Sequence, residues 1–312
     1  YEDGRTSTKK FEQLMARDVF QNPKSDTIIQ GLISFICNDN DIVIDFFSGS
    51  ATTAQSVLQL NAKGGIHVKY IMIQLPENMD IMLETVEPRA KKTLKNAISF
   101  LDSINKSHTI TEIGKERIRR AGDKISMELQ ERYNAFKKGQ QTLFDEPTSE
   151  PMNPKNLDIG FKVFKLDSSN LKKWNGEVAY RQGEDEQLKF DAEKLSEYLN
   201  SSIDNYMPDR TELDVVYEIM LKLGLDMTYP VEQCQIAGKN VYSIGYGALM
   251  MCMDDDITID VASGLAALYK ELKPETWKVV FKDNGFKDDS TKTNVLEILK
   301  AAGLEEDAFT TV

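Results

Sequence analysis

Residues 42–54 constrain this chain more than any other stretch. Ile42, Val43 and Ile44 form a β-branched apolar run that reads as a short buried strand. Asp45 ends it. Ser48, Gly49 and Ser50 supply a tight turn, and a helix is predicted from about Ala51–Thr52 through Leu60. Strand, small-residue turn and helix together make the ligand-binding corner of an open α/β sheet. Gly49 has no Cβ, so a ligand can lie against the backbone there. The free amides at a helix start favour a carboxylate or phosphate. Asp45 sets a negative charge beside them. An anion site next to an acid suits a zwitterion, such as an amino-acid end, better than a bare polyphosphate.

The flanking segments extend this α/β pattern. A helix is expected over Lys9–Phe20. Pro23 biases Asn22 toward extended backbone, and Asp26 is placed to cap a helix over Thr27–Cys37. The apolar face of that helix would use Ile28, Ile29, Leu32, Ile33 and Ile36. Gly64 and Gly65 break the central helix, and residues 68–75 read as a second buried strand parallel to the first. Gln74 then lies near the C-terminal end of that strand, on the ligand edge. A helix over Thr111–Lys138 carries a packing stripe of Ile118, Ile125, Leu129, Tyr133 and Phe136. Its basic cluster, Lys115 to Arg120, reads as a solvated face rather than a phosphate contact.

Residues 139–156 hold three prolines and little apolar content, which marks a linker between 1–138 and 157–312. Past it the pattern predicts a strand at Ile159–Leu166, a polar insertion over 175–205, and a helix over Thr211–Leu223 with Thr211 as cap. A hairpin turns at Gly245-Tyr246-Gly247. Helix Val261–Leu272, strand Trp277–Phe281, helix Lys292–Ala302 and an edge strand at Ala308–Val312 complete a second small α/β unit. Asp283, Asp288 and Asp289 match no calcium or magnesium loop spacing and read as loop acids.

Several chemistries are disfavoured. The chain has no Gly-x-x-x-x-Gly-Lys-Ser/Thr loop, no Gly-x-Gly-x-x-Gly turn and no Gly-x-Ser-x-Gly elbow. His67 and His108 are the only histidines, and Cys37, Cys234 and Cys252 are too far apart to form a metal-ligand motif. Reduced thiols in a cytoplasmic protein are the expectation. No apolar run reaches membrane-spanning length, and Tyr1-Glu2-Asp3-Gly4 is not a signal peptide. The lack of an initiating Met points to a piece of something longer. A net charge of −12 argues against this piece gripping DNA by itself.

Residues 20–24 and 45–54, read together, resemble the adjacent motifs X and I of amino-methyltransferases acting on DNA. The likeness is strongest to the Mod subunits of type III restriction-modification systems, which are adenine-N6 methyltransferases of the permuted β group. Residues 74–77, 111–121, 159–174 and 285–294 look like that family too. The resemblance implies a partial Rossmann-like methyltransferase sheet followed by a second small α/β domain. It implies S-adenosyl-L-methionine as cofactor, with Asp45, Phe47, Gly49 and Ser50 at its methionine end and Thr52 and Thr53 at the helix start. Asn22 and Lys24 would meet the same end, Lys24 pairing with the carboxylate, and Gln74 would approach the ribose. Ser25 stands where a proline is common. Ala51 stands where a second glycine is usual, and alanine is unstrained there only if φ is negative.

The family transfers its methyl group through an Asp/Asn-Pro-Pro-Tyr/Phe motif that holds the flipped base. This chain has no such tetrapeptide. In the permuted order that motif and the target-recognition region precede motif X. The resemblance therefore implies a C-terminal part that does not methylate DNA alone. DNA, a second Mod subunit and the restriction (Res) subunit would be partners of the full-length protein. The alternative is a non-catalytic assembly module, in which 157–312 joins subunits and the cofactor corner is vestigial.

Overall fold

A computed structural model describes residues 4–138, 150–175, 180–182, 188–203 and 205–312. It divides into two compact units, Tyr1–Phe161 and Lys162–Val312. The first is organised on a parallel pair of strands, β1 (Ile42–Asp45) and β2 (Lys69–Met72), with Ile42 opposite Lys69 and Asp45 opposite Met72. The crossover between them is helix α3 (Thr52–Lys63), which ends at Gly64 with φ 76°. Around this lie α1 (Gly4–Leu14), α2 (Asp26–Ile36), α4 (Met79–Thr85), α5 (Pro88–Ser103) and the long α6 (Ile110–Lys137). The fold is mixed α/β, as the motif order implies.

The buried face of α3 presents Ala54, Leu58 and Ala62 to Ile118, Ala121, Ile125 and Leu129 of α6. A second cluster joins Phe11 and Met15 to Ala97, Phe100, Leu101 and Ile113. This cluster explains why α1 stops at Leu14 instead of running to Phe20: Met15 and Val19 are both buried in it, and Asp18 takes a left-handed φ of 57°. Two local expectations are corrected just beyond. Asn22 is left-handed (φ 52°), not extended, a conformation asparagine tolerates better than most residues. The cap of α2 is Ser25, which accepts from the Ile28 amide at 3.2 Å, while Asp26 is the first helical residue and is buried.

The two strands expected to be buried are covered on one face only. Ile42 (54 % exposed), Ile44, Phe46, Ile71, Ile73 and Leu75 remain open. Val43, Tyr70 and Met72 turn inward against the helices. Similarly, α2 buries Ile33, whereas Ile28, Leu32, Phe35 and Ile36 stay exposed, Phe35 at 90 %.

Of the segment expected to be a linker, 139–149 lies outside the described residues. Beyond it Met152, Leu157 and Phe161 pack on the α3–α6 cluster, so the second unit starts at Lys162 rather than at 157. No strand forms over 159–166 among the described residues; Val163, Phe164 and Leu166 are exposed.

The second unit holds a short antiparallel pair, β3 (Tyr180–Gln182) with β4 (Leu188–Phe190), then α7 (Ala192–Ser201) and α8 (Glu212–Lys222). The polar insertion thus has regular structure, though 176–179, 183–187 and 204 of it lie outside the described residues. Thr211 caps α8 through a reciprocal box with Asp214. A five-stranded sheet follows in the order β5 (Val231–Ile236), β6 (Lys239–Ile244), β7 (Leu249–Cys252), β8 (Lys278–Phe281), β9 (Phe309–Thr311). β5, β6 and β7 pair antiparallel; β7, β8 and β9 pair parallel through α9 (Ile259–Leu272) and α10 (Asp289–Ala301). Helices α9 and α10 cover one sheet face and α8 the other. Of the three aspartates read as loop acids, Asp288 caps α10 through the Thr291 amide and Asp283 pairs with Lys292 at 2.6 Å.

One surface contact sets a pH dependence. His108, just before α6, lies between Asp102 (2.8 Å) and Asp80 (2.9 Å). The bond to Asp102, then that to Asp80, raises its pKa above the ordinary 6.5. The folded state therefore favours the imidazolium. Its contribution is complete below about 6.5 and is lost as pH rises through the raised value. His108→Gln should flatten the pH dependence of hydrogen exchange at the start of α4 across that window. An unchanged profile would mean that the two aspartates leave His108 energetically alone.

Candidate functional site

The corner after β1 is built by short-range bonds. Asp45 accepts from the Phe47 amide at 3.2 Å and from the Thr53 hydroxyl at 2.7 Å, tying the strand end to the first turn of α3. The Ser48 amide donates to the Ile73 carbonyl (3.1 Å) and the Ala51 amide to the Ser48 carbonyl (2.7 Å). Gln74 accepts from the Gly49 amide through Oε1 at 2.9 Å, so the end of the second strand and the turn are fastened together. This bond means that the Gly49 amide is engaged within the chain. At the α3 start, Ala51 supplies no side-chain cap to the first amides.

Gly49 has φ 50°, and a Cβ there would lie 3.3 Å from Cζ of Phe20. The glycine is thus required by backbone conformation and by the approach of the 20–25 segment, and its face is met by a ring of the chain itself. Ala51 adopts φ 58° and ψ 41°, fully left-handed. The condition of a negative φ is not met, and the alanine carries the strain that the usual glycine would avoid, about 1–2 kcal/mol.

The structure brings Asp45, Gly49, Ser50, Thr52, Thr53 and Gln74 into one bonded corner. Phe47 projects from it, 85 % exposed. Asn22 and Lys24 are exposed residues of the segment whose Phe20 touches Gly49. Asp26, from the same segment, accepts from Gln59 at 2.7 Å and Gln55 at 3.3 Å on α3. The motif X and motif I segments are therefore neighbours.

The basic cluster is not a solvated face. Arg120 donates to Glu116 and to the Leu14 and Met15 carbonyls, and Arg119 pairs with Glu116. Arg117 is buried (3 % exposed) and reaches the corner itself. It donates to Thr52 Oγ1 at 2.6 Å, Ser50 Oγ at 2.8 Å, the Ser50 carbonyl at 3.3 Å and Gln55 Oε1 at 2.8 Å. Burial lowers its pKa to about 10, partly offset by Asp26. The signal for it was the spacing: Arg117 shares a helix face with Ile113, Gly114, Ile118 and Ala121.

Among the described residues no helix is long and apolar enough to cross a membrane. Residues 2–84 match the DNA methylase family. The type III restriction-modification enzyme EcoP15I Mod subunit of Escherichia coli is 40 % identical over 77 residues, 24 % of this chain and 12 % of that protein. The StyLTI Mod subunit of Salmonella typhimurium is 29 % identical over 117 residues, 38 % of this chain and 15 % of that protein. The EcoPI Mod subunit of Escherichia phage P1 is 35 % identical over 72 residues, 23 % of this chain and 11 % of that protein. The matched parts thus span between 11 % and 15 % of the length of these relatives. Over residues 2–84 this chain is thus similar to the DNA methylase family, and over part of its length to the Mod subunits of type III restriction-modification enzymes.

Proposed function

We propose that this chain carries the S-adenosyl-L-methionine-binding corner of an adenine-N6 DNA methyltransferase of the type III Mod kind. The observation that carries this reading is the pairing of an acid with an uncapped helix start. Asp45 is fixed by Thr53 and the Phe47 amide and suits an ammonium group, while the α3 amides suit a carboxylate. The residues thus fit the amino-acid end of the cofactor. Asp45, Phe47, Gly49, Ser50, Thr52 and Thr53 would hold that end, with Asn22 and Lys24 beside it. Gln74 would present its amide toward the ribose while holding Gly49. The cofactor supplies an electrophilic methyl group when bound; these side chains bind and orient it.

The bare apolar face formed by Ile42, Ile44, Phe46, Ile71, Ile73 and Leu75 supports a partial sheet. An open apolar face of this kind marks an interaction surface. The rest of a methyltransferase sheet, with its Asp/Asn-Pro-Pro-Tyr/Phe motif and recognition region, would seat there. The chain by itself then binds cofactor without methylating DNA. DNA, a second Mod subunit and the Res subunit would be engaged by the full-length protein, which acts in the cytoplasm.

Calorimetry with S-adenosylhomocysteine tests the reading. The chain should bind it, and Asp45→Asn should weaken binding by roughly tenfold or more, through loss of a charge-assisted bond worth about 1.5–3 kcal/mol. Absence of binding by the wild-type chain, or no effect of Asp45→Asn, would sink it. A methyl-transfer assay on mixed DNA should give background counts; incorporation well above background would refute the dependence on the missing motif.

A further inference from the structure

We propose that Arg117 is the positioning residue of this corner, holding the left-handed turn at Ala51 in shape and placing a fixed positive charge beneath the start of α3. The proposal rests on the cofactor reading above for its ligand, but its geometry stands apart from any ligand.

A non-glycine residue at φ 58° persists only where its surroundings over-determine it. Here they do. The Arg117 Nη1 group donates to Ser50 on one side of Ala51 and to Thr52 on the other, so one planar group spans the strained residue. Gly114, one turn earlier on α6, lets the helix touch the turn: a Cβ there would lie 3.3 Å from the Gly49 carbonyl and 3.5 Å from the Ala51 methyl. Phe11 covers the guanidinium at 5.1 Å from its ring centre. All four oxygen acceptors of Arg117 are neutral. Among the described residues its charge meets a carboxylate through Gln55, whose amide nitrogen donates to Asp26 at 3.3 Å, and Lys10 lies 3.7 Å from that same carboxylate. The buried guanidinium charge sits in low dielectric under Ser50 and Thr52, behind the amides that would receive an anion.

The corner therefore selects a nucleoside ligand that bears a free carboxylate. Two measurements on the 312-residue chain separate the clamp from the charge. First, without ligand, Arg117→Met should speed amide exchange of Gly49 and Ala51 by at least about tenfold, leaving the α6 amides and far-UV circular dichroism unchanged. Unchanged exchange at both residues overturns the clamp. Exchange that rises evenly through α3 and α6 also overturns it, since that would be ordinary loss of packing. If Arg117→Met does not fold, Thr52→Val removes one acceptor and should give the same local effect at smaller size.

Second, affinities for S-adenosylhomocysteine and for its carboxamide, which lacks only the carboxylate charge, should differ in the wild-type chain. That ratio should fall several-fold in Arg117→Met and recover in Arg117→Lys. Equal losses for both ligands overturn the charge role. Failure of the wild-type chain to bind either ligand refutes the cofactor reading and the charge role with it, while the exchange measurement still decides the clamp.

Discussion

Replacing Gly49 with tryptophan should abolish S-adenosylhomocysteine binding and lower the stability of the first unit by about 3 kcal/mol. Two costs add. The backbone at φ 50° is open to glycine but costs any other residue about 1–2 kcal/mol. A Cβ would also stand 3.3 Å from Phe20, and the indole beyond it would have to displace that ring, an overpacking cost of about 1–3 kcal/mol. Gly49→Ala isolates the first cost and should lose only about 1–2 kcal/mol in urea denaturation. Displacing Phe20 would also move Asn22 and Lys24 away from the turn, so binding should fail even where folding survives. Wild-type affinity in a folded Gly49→Trp chain would show that the ligand does not lie on this corner.

The core of this corner was legible because its signals are local. A β-branched run, an acid, three small residues and a helix are read from consecutive positions, and β1, the turn and α3 lie where that order puts them. Burial of the strands was not legible. Ile42 and Ile44 have the composition of buried residues, yet whether anything covers them depends on chain that packs against them, which composition does not reveal. The left-handed Asn22 was not legible either, since the following proline points the other way, whereas at Ala51 the sequence showed the question of φ but not its sign. Arg117 itself was hidden by charge. Four cations within six residues look like a solvated face, and only the three-and-four spacing from Gly114 to Ala121 marks one of them as inward. In the second unit β5 was missed because its Glu232, Gln233 and Gln235 give an edge strand no apolar run.

Phe281→Ala should be the most damaging single change in the second unit, costing about 3–5 kcal/mol. The side chain is fully buried at the end of the central parallel strand β8. Its ring meets Phe286 edge-on at 5.4 Å and Phe309 at 5.6 Å, so one residue joins the strand, the loop before α10 and the edge strand β9. Two aromatic pairs are lost along with the buried area, each worth about 0.5–1.5 kcal/mol beyond burial. The cavity has little means to collapse. Gly285, next to Phe286, is wedged so closely that a Cβ there would lie 2.5 Å from the Asp254 carbonyl, and its own carbonyl is bonded to the Ile257 amide at 2.8 Å. Backbone pinned in that way holds the void open, which places the cost toward the upper end of the range. Chemical denaturation followed by a probe in the second unit should show the loss. A midpoint within error of wild type would mean that β9 and the α10 loop are held by their backbone bonds and that the aromatic trio contributes nothing to their docking.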